Sequence, residues 1–346
     1  MKPSAQTTLA DVARAAGVGV GTASRVINGG LHVSPGAIQS VQAAIRQLGY
    51  MPNHAARSLR GGRTKTIGLL VPSIADSFFS ACAKAADEVA RSHDCLLIVG
   101  VSGNNPKLEM DSLSVLMRHR PDGLLIVPSD GRSRRFTSFV RANPIPIVAI
   151  DRPIAGCATV LTDNREAFGA ATRHLIDHGC KRILCYGGEP DLFTIQQRLV
   201  GYEQAMRAAH LPMLIDTSLD REGETAQRTL AAHLATRKPP DAIITLKNSA
   251  TTVTFQALQR LRIRVPQQLA LLGFDDFELA GTLRPAVSVI QQPIELLGRT
   301  AAELLFAQLS PTHAAGQKAA KRVESTILNS KLVLRSSCGC RFREHG

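Results

Sequence analysis

The chain has 346 residues, 44% of them hydrophobic, with 41 lysines and arginines against 28 acidic residues and a formal net charge of +13. That is long enough for more than one domain and apolar enough for sizeable buried cores, which excludes a disordered or low-complexity chain. No apolar run reaches the ~18 residues of a membrane span, and a polar start that runs into an Ala-rich amphipathic segment is not a secretory leader, so a cytoplasmic protein is expected.

The first elements follow from end chemistry. Thr8 can cap a helix, with Asp11 three residues on to close a capping box, and Gly17 ends it. A second helix is expected over 20–28, joined to the first by the short turn Ala16-Gly17-Val18-Gly19, the spacing of a helix-turn-helix. Ser34-Pro35 starts a third, along which Ile38, Val41, Ile45 and Leu48 share one face until Gly49 stops it. With Leu9, Val12, Val18, Val26 and Ile27 these residues predict one small core. Residues 1–65 carry eight basic side chains and one acid, +7 of the total +13. A basic module on a milder body fits phosphate contact, where counterion release supplies affinity.

The stretches LADVARAAGVGVGTASRVIN, VSP, LGYMPN and AARSLR, in that order and spacing, resemble the headpiece of the LacI/GalR (lactose/galactose repressor) family of bacterial transcription regulators. The resemblance implies a double-stranded DNA operator as partner and a second helix lying in the major groove. It places Val20, Gly21 and Arg25 at base edges, and Thr22, Ser24 and Asn28 at phosphates, with Thr8, His32, Asn53 and Ala56 in the same DNA-binding set. Arginine can fork to guanine, valine offers only an apolar contact, and glycine offers no side chain. Gly19 departs from the serine common at that cap, which weakens the helix start by a few tenths of a kcal/mol.

Segment 53–60 is too short to be a stable helix alone, and Gly61-Gly62 uncouple it from the residues beyond. The resemblance makes it a hinge helix that folds on DNA and pairs with its twin in a homodimer. Leu59 then matches the residue wedged into the minor groove, and Ala55 and Ala56 permit close approach.

From residue 66 the pattern alternates. Strands are predicted at 67–71, 96–101, 123–127, 145–150, 159–161, 183–186, 242–245 and 269–273. Helices are predicted at 77–91, 108–119, 133–142, 166–178, 196–209, 225–236 and 251–260. Such alternation implies parallel sheets covered on both faces, with ligand loops at strand ends. The phrases SIADSFF, IDRP, TDNREAFGAATRHLIDHGCKRI, QQRLVGY, LLGFDDFELAG and SVIQQP extend the family resemblance over nearly the whole chain. The fold class expected is an all-α helix-turn-helix headpiece plus an α/β two-lobed periplasmic-binding-protein-like core. The implied domains are a headpiece at 1–49, a hinge helix and linker at 50–62, and an effector-binding core at 63–346. Within the core, an N-subdomain takes about 63–160 and 291–325, and a C-subdomain about 161–290 and 326–346.

The resemblance also implies a small-molecule effector between the lobes. Asp151, Arg198 and Asp275 fall where family members commonly hold one, and Asp76, Phe78, Thr194, Lys247 and Asn248 complete the expected set. Thr194 sits one helical turn before Arg198. Carboxylates accept from vicinal hydroxyls and arginine donates a fork, the chemistry a sugar needs. A different reading has Asp151 and Asp275 capping the turns that follow strands. Lys247-Asn248 replaces the family's usual Asn-Asp pair, and the added cation points to a sugar acid or sugar phosphate. Induced and co-repressed responses, the second to a non-sugar metabolite, are both compatible with the sequence.

Seven cysteines at no disulfide-framework spacing are expected as reduced thiols. Cys338-Gly-Cys340 has no second ligand pair nearby in sequence, so an exposed tail without metal is expected, and no cofactor is implied. That tail also lacks the leucine heptads of a tetramerising coiled coil. Residues 311–321 read as a surface loop between lobes. An α/β enzyme is disfavoured, because no phosphate loop, dinucleotide fingerprint, nucleophile elbow or H-E-x-x-H occurs. A transport binding protein would share the two lobes but not residues 1–62.

Overall fold

A computed structural model describes residues 7–27, 33–50, 63–218, 224–310 and 325–340. The chain divides into two compact units, Met1–Thr64 and Lys65–Gly346. The expected hinge helix at 53–60 and the loop at 311–321 lie outside the described residues.

In the first unit α1 spans Leu9–Ala15, α2 Val20–Ile27 and α3 Pro35–Leu48. The capping box forms as the sequence predicts: Asp11 N donates to Thr8 Oγ1 at 3.3 Å, and Thr8 N donates to the Asp11 carboxylate at 3.0 Å. Ser34 caps α3 by accepting from Ala37 N, and Gly49, with φ 58°, closes it in the left-handed region that favours glycine. The buried centre is Val12, Ala13, Ala23, Val41 and Ala44, ringed by Leu9, Val18, Val26, Ile27, Ile45, Leu48 and Tyr50. Ala23 turns α2 inward, which leaves Val20, Gly21 and Arg25 on its exposed side. Described α2 ends at Ile27, one residue before the expected Asn28.

The second unit is two six-stranded sheets. The first runs β11(Ser325–Leu328), β5(Ala158–Thr162), β4(Ile147–Ile150), β3(Gly123–Ile126), β1(Thr66–Val71), β2(Leu96–Val101). The second runs β12(Lys331–Val333), β10(Ser288–Gln291), β9(Ala270–Phe274), β8(Ala242–Thr245), β6(Ile183–Tyr186), β7(Leu214–Asp216). The two orders correspond strand for strand. All pairings are parallel except that of β10 with β12.

Helices α4(Ser77–Ser92) and α11(Ile294–Leu309) cover one face of the first sheet, while α5(Pro106–Arg118) and α6(Arg134–Ala142) cover the other. On the second sheet α7(Asn164–Asp177) and α8(Phe193–Ala208) take one face, and α9(Glu224–Leu234) and α10(Asn248–Arg260) the other. Strands such as β3, β4, β6 and β8 are buried along their whole length, which is why they read as unbroken apolar runs.

The chain passes between lobes after β5, after β10 and between β11 and β12. Three expected boundaries therefore move. Residues 161 and 162 belong to β5 of the first lobe, and 326–328, assigned from sequence to the second lobe, pair with β5 in the first. Likewise β10 at 288–291 keeps residue 291 in the second lobe.

Helices α7 and α8 meet through glycine: a Cβ on Gly201 would stand 2.2 Å from the Arg165 carbonyl oxygen, a backbone atom that side-chain rotation cannot clear. Gly201→Ala is expected to destabilise the core by ~1–3 kcal/mol, the usual range for overpacking, seen as a lowered urea midpoint by circular dichroism. An unchanged midpoint would contradict this close approach.

Candidate DNA-reading face and interlobe cleft

On the headpiece Val20 is 50% exposed and Arg25 stands in solvent, its Nε donating back to Gly21 O at 3.3 Å. Thr22 and Ser24 are half-buried at the flanks of this strip. A Cβ on Gly21 would meet nothing within 4 Å, so the strip is open at that position. Thr8, expected at DNA, spends its hydroxyl on the capping box, with Oγ1 donating to Asp11 at 2.6 Å. Asn28, His32, Asn53, Ala56 and Leu59 lie outside the described residues.

In the core, the residues that line one cleft stand just beyond the carboxyl ends of strands: Asp76 and Phe78 after β1, Asp151 after β4, Thr194 after β6, Lys247 and Asn248 after β8, and Asp275 after β9. That is where open parallel sheets gather ligands. All eight residues expected at the effector, Arg198 included, line this one cleft.

Two aspartates occupy equivalent places in the two lobes. Asp151 and Asp275 each follow their strand directly, with φ of 66° and 63°, and each N–H donates at 2.9 Å to the neighbouring strand, at Val160 O and Ile290 O. Non-glycine residues reach this left-handed region at a cost of ~1–2 kcal/mol, and such strain collects at ligand sites. Neither carboxylate accepts a backbone N–H among the described residues, so these are not the turn caps that the sequence left open. Asp151 faces Arg152 Nε at 3.5 Å, and Asp275 Oδ1 accepts from Gln292 Nε2 at 2.7 Å. Burial raises both carboxyls, Asp275 to about 6, against the opposing pull of Arg198.

Arg198 is held from three sides. Its Nε donates to Asn164 Oδ1 at 2.7 Å, its Nη1 to Leu246 O at 2.6 Å, and its guanidinium lies 3.5 Å over the Phe274 ring. Burial lowers it to about 10, still cationic at neutral pH. Nη2 has no hydrogen-bond partner among the described residues. Asn248 adds a buried Oδ1 without a partner, while its Nδ2 reaches Ser77 Oγ of the other lobe at 3.5 Å. Asp76 is partly committed, accepting from Phe78 N at the start of α4.

Lys247 corrects the sequence reading. Its ammonium sits 2.8 and 2.7 Å from the two oxygens of Glu189, so it brings no uncompensated positive charge. Glu189 lies 58 residues away, and no local pattern marks it as the partner. Sequence reasoning also missed Arg152, Asn164 and Gln292, although each stands inside a phrase that carried the resemblance: IDRP, TDNREAFG and SVIQQP. Cys338-Gly-Cys340 is corrected as well, since Cys338 is 1% exposed rather than part of an open tail.

Residues 8–53 match the family described as bacterial regulatory proteins, lacI family, and residues 172–338 match a periplasmic binding protein-like domain. Over 338 residues, 95% of this chain and 98% of the relative, the sequence is 32% identical to an HTH-type transcriptional repressor PurR of Photobacterium profundum. The chain belongs to the lacI family of bacterial regulatory proteins. It is also 33% identical to the ribose operon repressor of Escherichia coli (strain K12), over 88% of this chain and 93% of that one. Among solved structures the lac repressor dimer bound to operator and the anti-inducer ONPF superposes with a TM-score of 0.82 at 23% identity, covering 96% and 99% of the two chains, which shows the shared fold. The transcriptional regulator CelR–cellobiose complex superposes at 0.67 with 28% identity, over 96% and 99%. No described helix is long and apolar enough to cross a membrane.

The exposed strip of α2, with Val20, Gly21 and Arg25, is the candidate DNA-reading face. Arg25→Ala is expected to lose about 1 to 3 kcal/mol at one base position and relax preference there, read by binding to an operator and its single-base variants. Unchanged selectivity would place the reading elsewhere. The cleft makes a separate prediction. Because the folded Asp275 value of about 6 exceeds the ordinary 3.8, its contribution to stability is fully present below about pH 4 and is lost as pH rises through about 6. The stability of the wild type relative to Asp275→Asn should therefore fall between about pH 4 and about pH 6, while Arg198, Asp151 and Asp76 face both proteins alike. A pH-independent difference would contradict the raised value.

Proposed function

We propose that this lacI-family regulator is a repressor whose operator affinity is set by a neutral, sugar-like effector in the interlobe cleft. The observation that carries this reading is the pair of buried left-handed aspartates, one from each lobe, beside an arginine nitrogen and an asparagine oxygen that still lack partners. Hydroxyls donate to the first and last of these groups and accept from the second, so a polyol satisfies all three. Lys247 and Glu189 cancel, which favours a neutral ligand over a sugar acid or phosphate. The names of the relatives, a ribose operon repressor and a cellobiose complex among them, agree in chemical class.

Binding across two lobes biases their relative position, and a shift of that kind, passed to paired headpieces, changes operator affinity. Repression relieved by effector is the favoured sign. Val20, Gly21 and Arg25 read bases, and Thr22, Ser24 and Asn28 hold phosphates, with His32, Asn53 and Ala56 along the same duplex and Leu59 as the minor-groove wedge. A homodimer matches the symmetry of half-sites, and edge strand β2 offers it exposed Leu96, Val99 and Val101 beside Leu108 and Val115 of α5. The protein acts in the cytoplasm, on the nucleoid when DNA-bound, and performs no catalysis.

A thermal-shift screen of sugars and sugar acids tests this directly, since a specific ligand stabilises the native state by mass action. The expected outcome is stabilisation by a neutral sugar and release of operator by the same compound. Asp275→Ala should abolish that response and leave operator binding within about twofold, a loss of under 1 kcal/mol. A retained response would show that the cleft was misassigned, and a stronger shift with an acid would overturn the charge argument.

A further inference from the structure

The segment after β12 is built into the second lobe. Arg335 forks onto Asp276 at 2.9 and 2.8 Å, and Ser337 Oγ donates to Leu271 O at 2.6 Å while accepting from Ser288 N at 2.8 Å. This path carries Cys338 and Cys340 to the C-terminal end of α7, where His174 and His178 stand one turn apart on the same face. Cys338 Sγ lies 3.4 Å from His174 Nε2 and 3.3 Å from Cys340 Sγ. Cys340 Sγ lies 3.5 Å from His174 Nε2 and 3.2 Å from His178 Nε2. The donor atoms of His174, His178 and Cys340 all fall within 4.8 Å of one another.

The four contacts made by the two sulfurs, at 3.2 to 3.5 Å, are close to the edges of one coordination shell. With Zn–S near 2.3 Å and Zn–N near 2.0–2.1 Å, a tetrahedral ion sets its donors about 3.3 to 3.8 Å apart. The surroundings prepare the donors. His178 Nδ1 donates to His174 O at 2.9 Å, which leaves Nε2 with its lone pair toward the cysteines. Ser288 Oγ accepts from Arg335 N at 2.8 Å and directs its own proton at Cys338 Sγ, 3.2 Å away, the outer contact that supports a thiolate ligand. Gly339, with φ 94°, makes the tight C-x-C turn that points both sulfurs the same way. His178 is exposed and Cys340 half-buried, so an ion has a way in.

We propose that His174, His178, Cys338 and Cys340 form a Cys2His2 site for a divalent cation of zinc type, which fastens the segment 331–340 to α7. Four protein donors leave no open position, so the role is structural rather than catalytic. The fastened segment carries Arg335, whose partner Asp276 adjoins Asp275, so the cation also steadies one wall of the cleft.

The test uses the full chain, purified under reducing conditions, stripped with a chelator and dialysed against zinc sulfate or cobalt(II) chloride. One equivalent of metal should survive gel filtration. The cobalt form should show the visible bands of a tetrahedral ion and thiolate-to-cobalt charge transfer. His178→Ala replaces an exposed side chain and Cys340→Ser a single sulfur. Each should lose the bands and weaken zinc binding by at least about tenfold, with unchanged circular dichroism. Cys180→Ser, outside the four, should keep both. No retained metal, bands that persist in both ligand variants, or a Cys338–Cys340 disulfide in protein alkylated at lysis would each overturn the site. These readouts involve neither operator nor effector, so they stand or fall apart from the regulatory reading.

Discussion

The cleft rests on a buried hydrogen-bonded floor where the three crossings meet. Thr162 Oγ1 donates to Gln292 Oε1 at 2.6 Å and accepts from Asn164 Nδ2 at 3.0 Å, which joins the first crossing to the second. Asp163 joins the first to the third, its Oδ1 accepting from Ser330 N at 2.7 Å and its own N–H donating to Leu328 O at 3.1 Å. The other ends of the same two amides reach the cleft: Gln292 Nε2 donates to Asp275, and Asn164 Oδ1 accepts from Arg198. A buried polar relay of this kind stabilises only when each member is satisfied, so it specifies one arrangement of the crossings. The lobes thus share a pivot made of side chains that also hold Asp275 and Arg198. Filling the cleft and moving the lobes are then one event seen from two sides.

The likeness of the two sheets explains why the cleft is nearly symmetrical in its acids. Each lobe ends its third core strand in a left-handed aspartate, and each aspartate is raised by burial and opposed by an arginine. The symmetry breaks at the cations. Arg152 is anchored within the first lobe through Nη1 alone, to Asn104 Oδ1 and Pro128 O at 2.8 and 3.0 Å, with its Nε lacking a hydrogen-bond partner, whereas Arg198 is tied through both Nε and Nη1.

Much of this is legible in the sequence because its causes are local. Thr8 with Asp11, and Ser34 with Pro35, declare helix starts within four residues, and buried strands such as 183–186 and 242–245 are short apolar runs whose ends match the structure. Helix α11 escapes the sequence reading although it covers the first sheet, because it leaves the second lobe at β10 and packs across the crossing. Strands β7 and β12 have three residues each, too few to show a period. Lys247 reads as a free cation because Glu189 approaches only through the fold. His174 and Cys338 touch across 164 positions of sequence, so no spacing rule could pair them.

The ladder that completes each lobe has a shared origin. Strands β11 and β12 lie between Ser325 and Val333, and each forms the outer edge of a different sheet. A chain stopped short of Ser325 would lose a border from both halves at once, together with Ser330 at the pivot. During synthesis the two halves gain their last strands within a few residues of each other, so neither is whole until the chain is almost fully made.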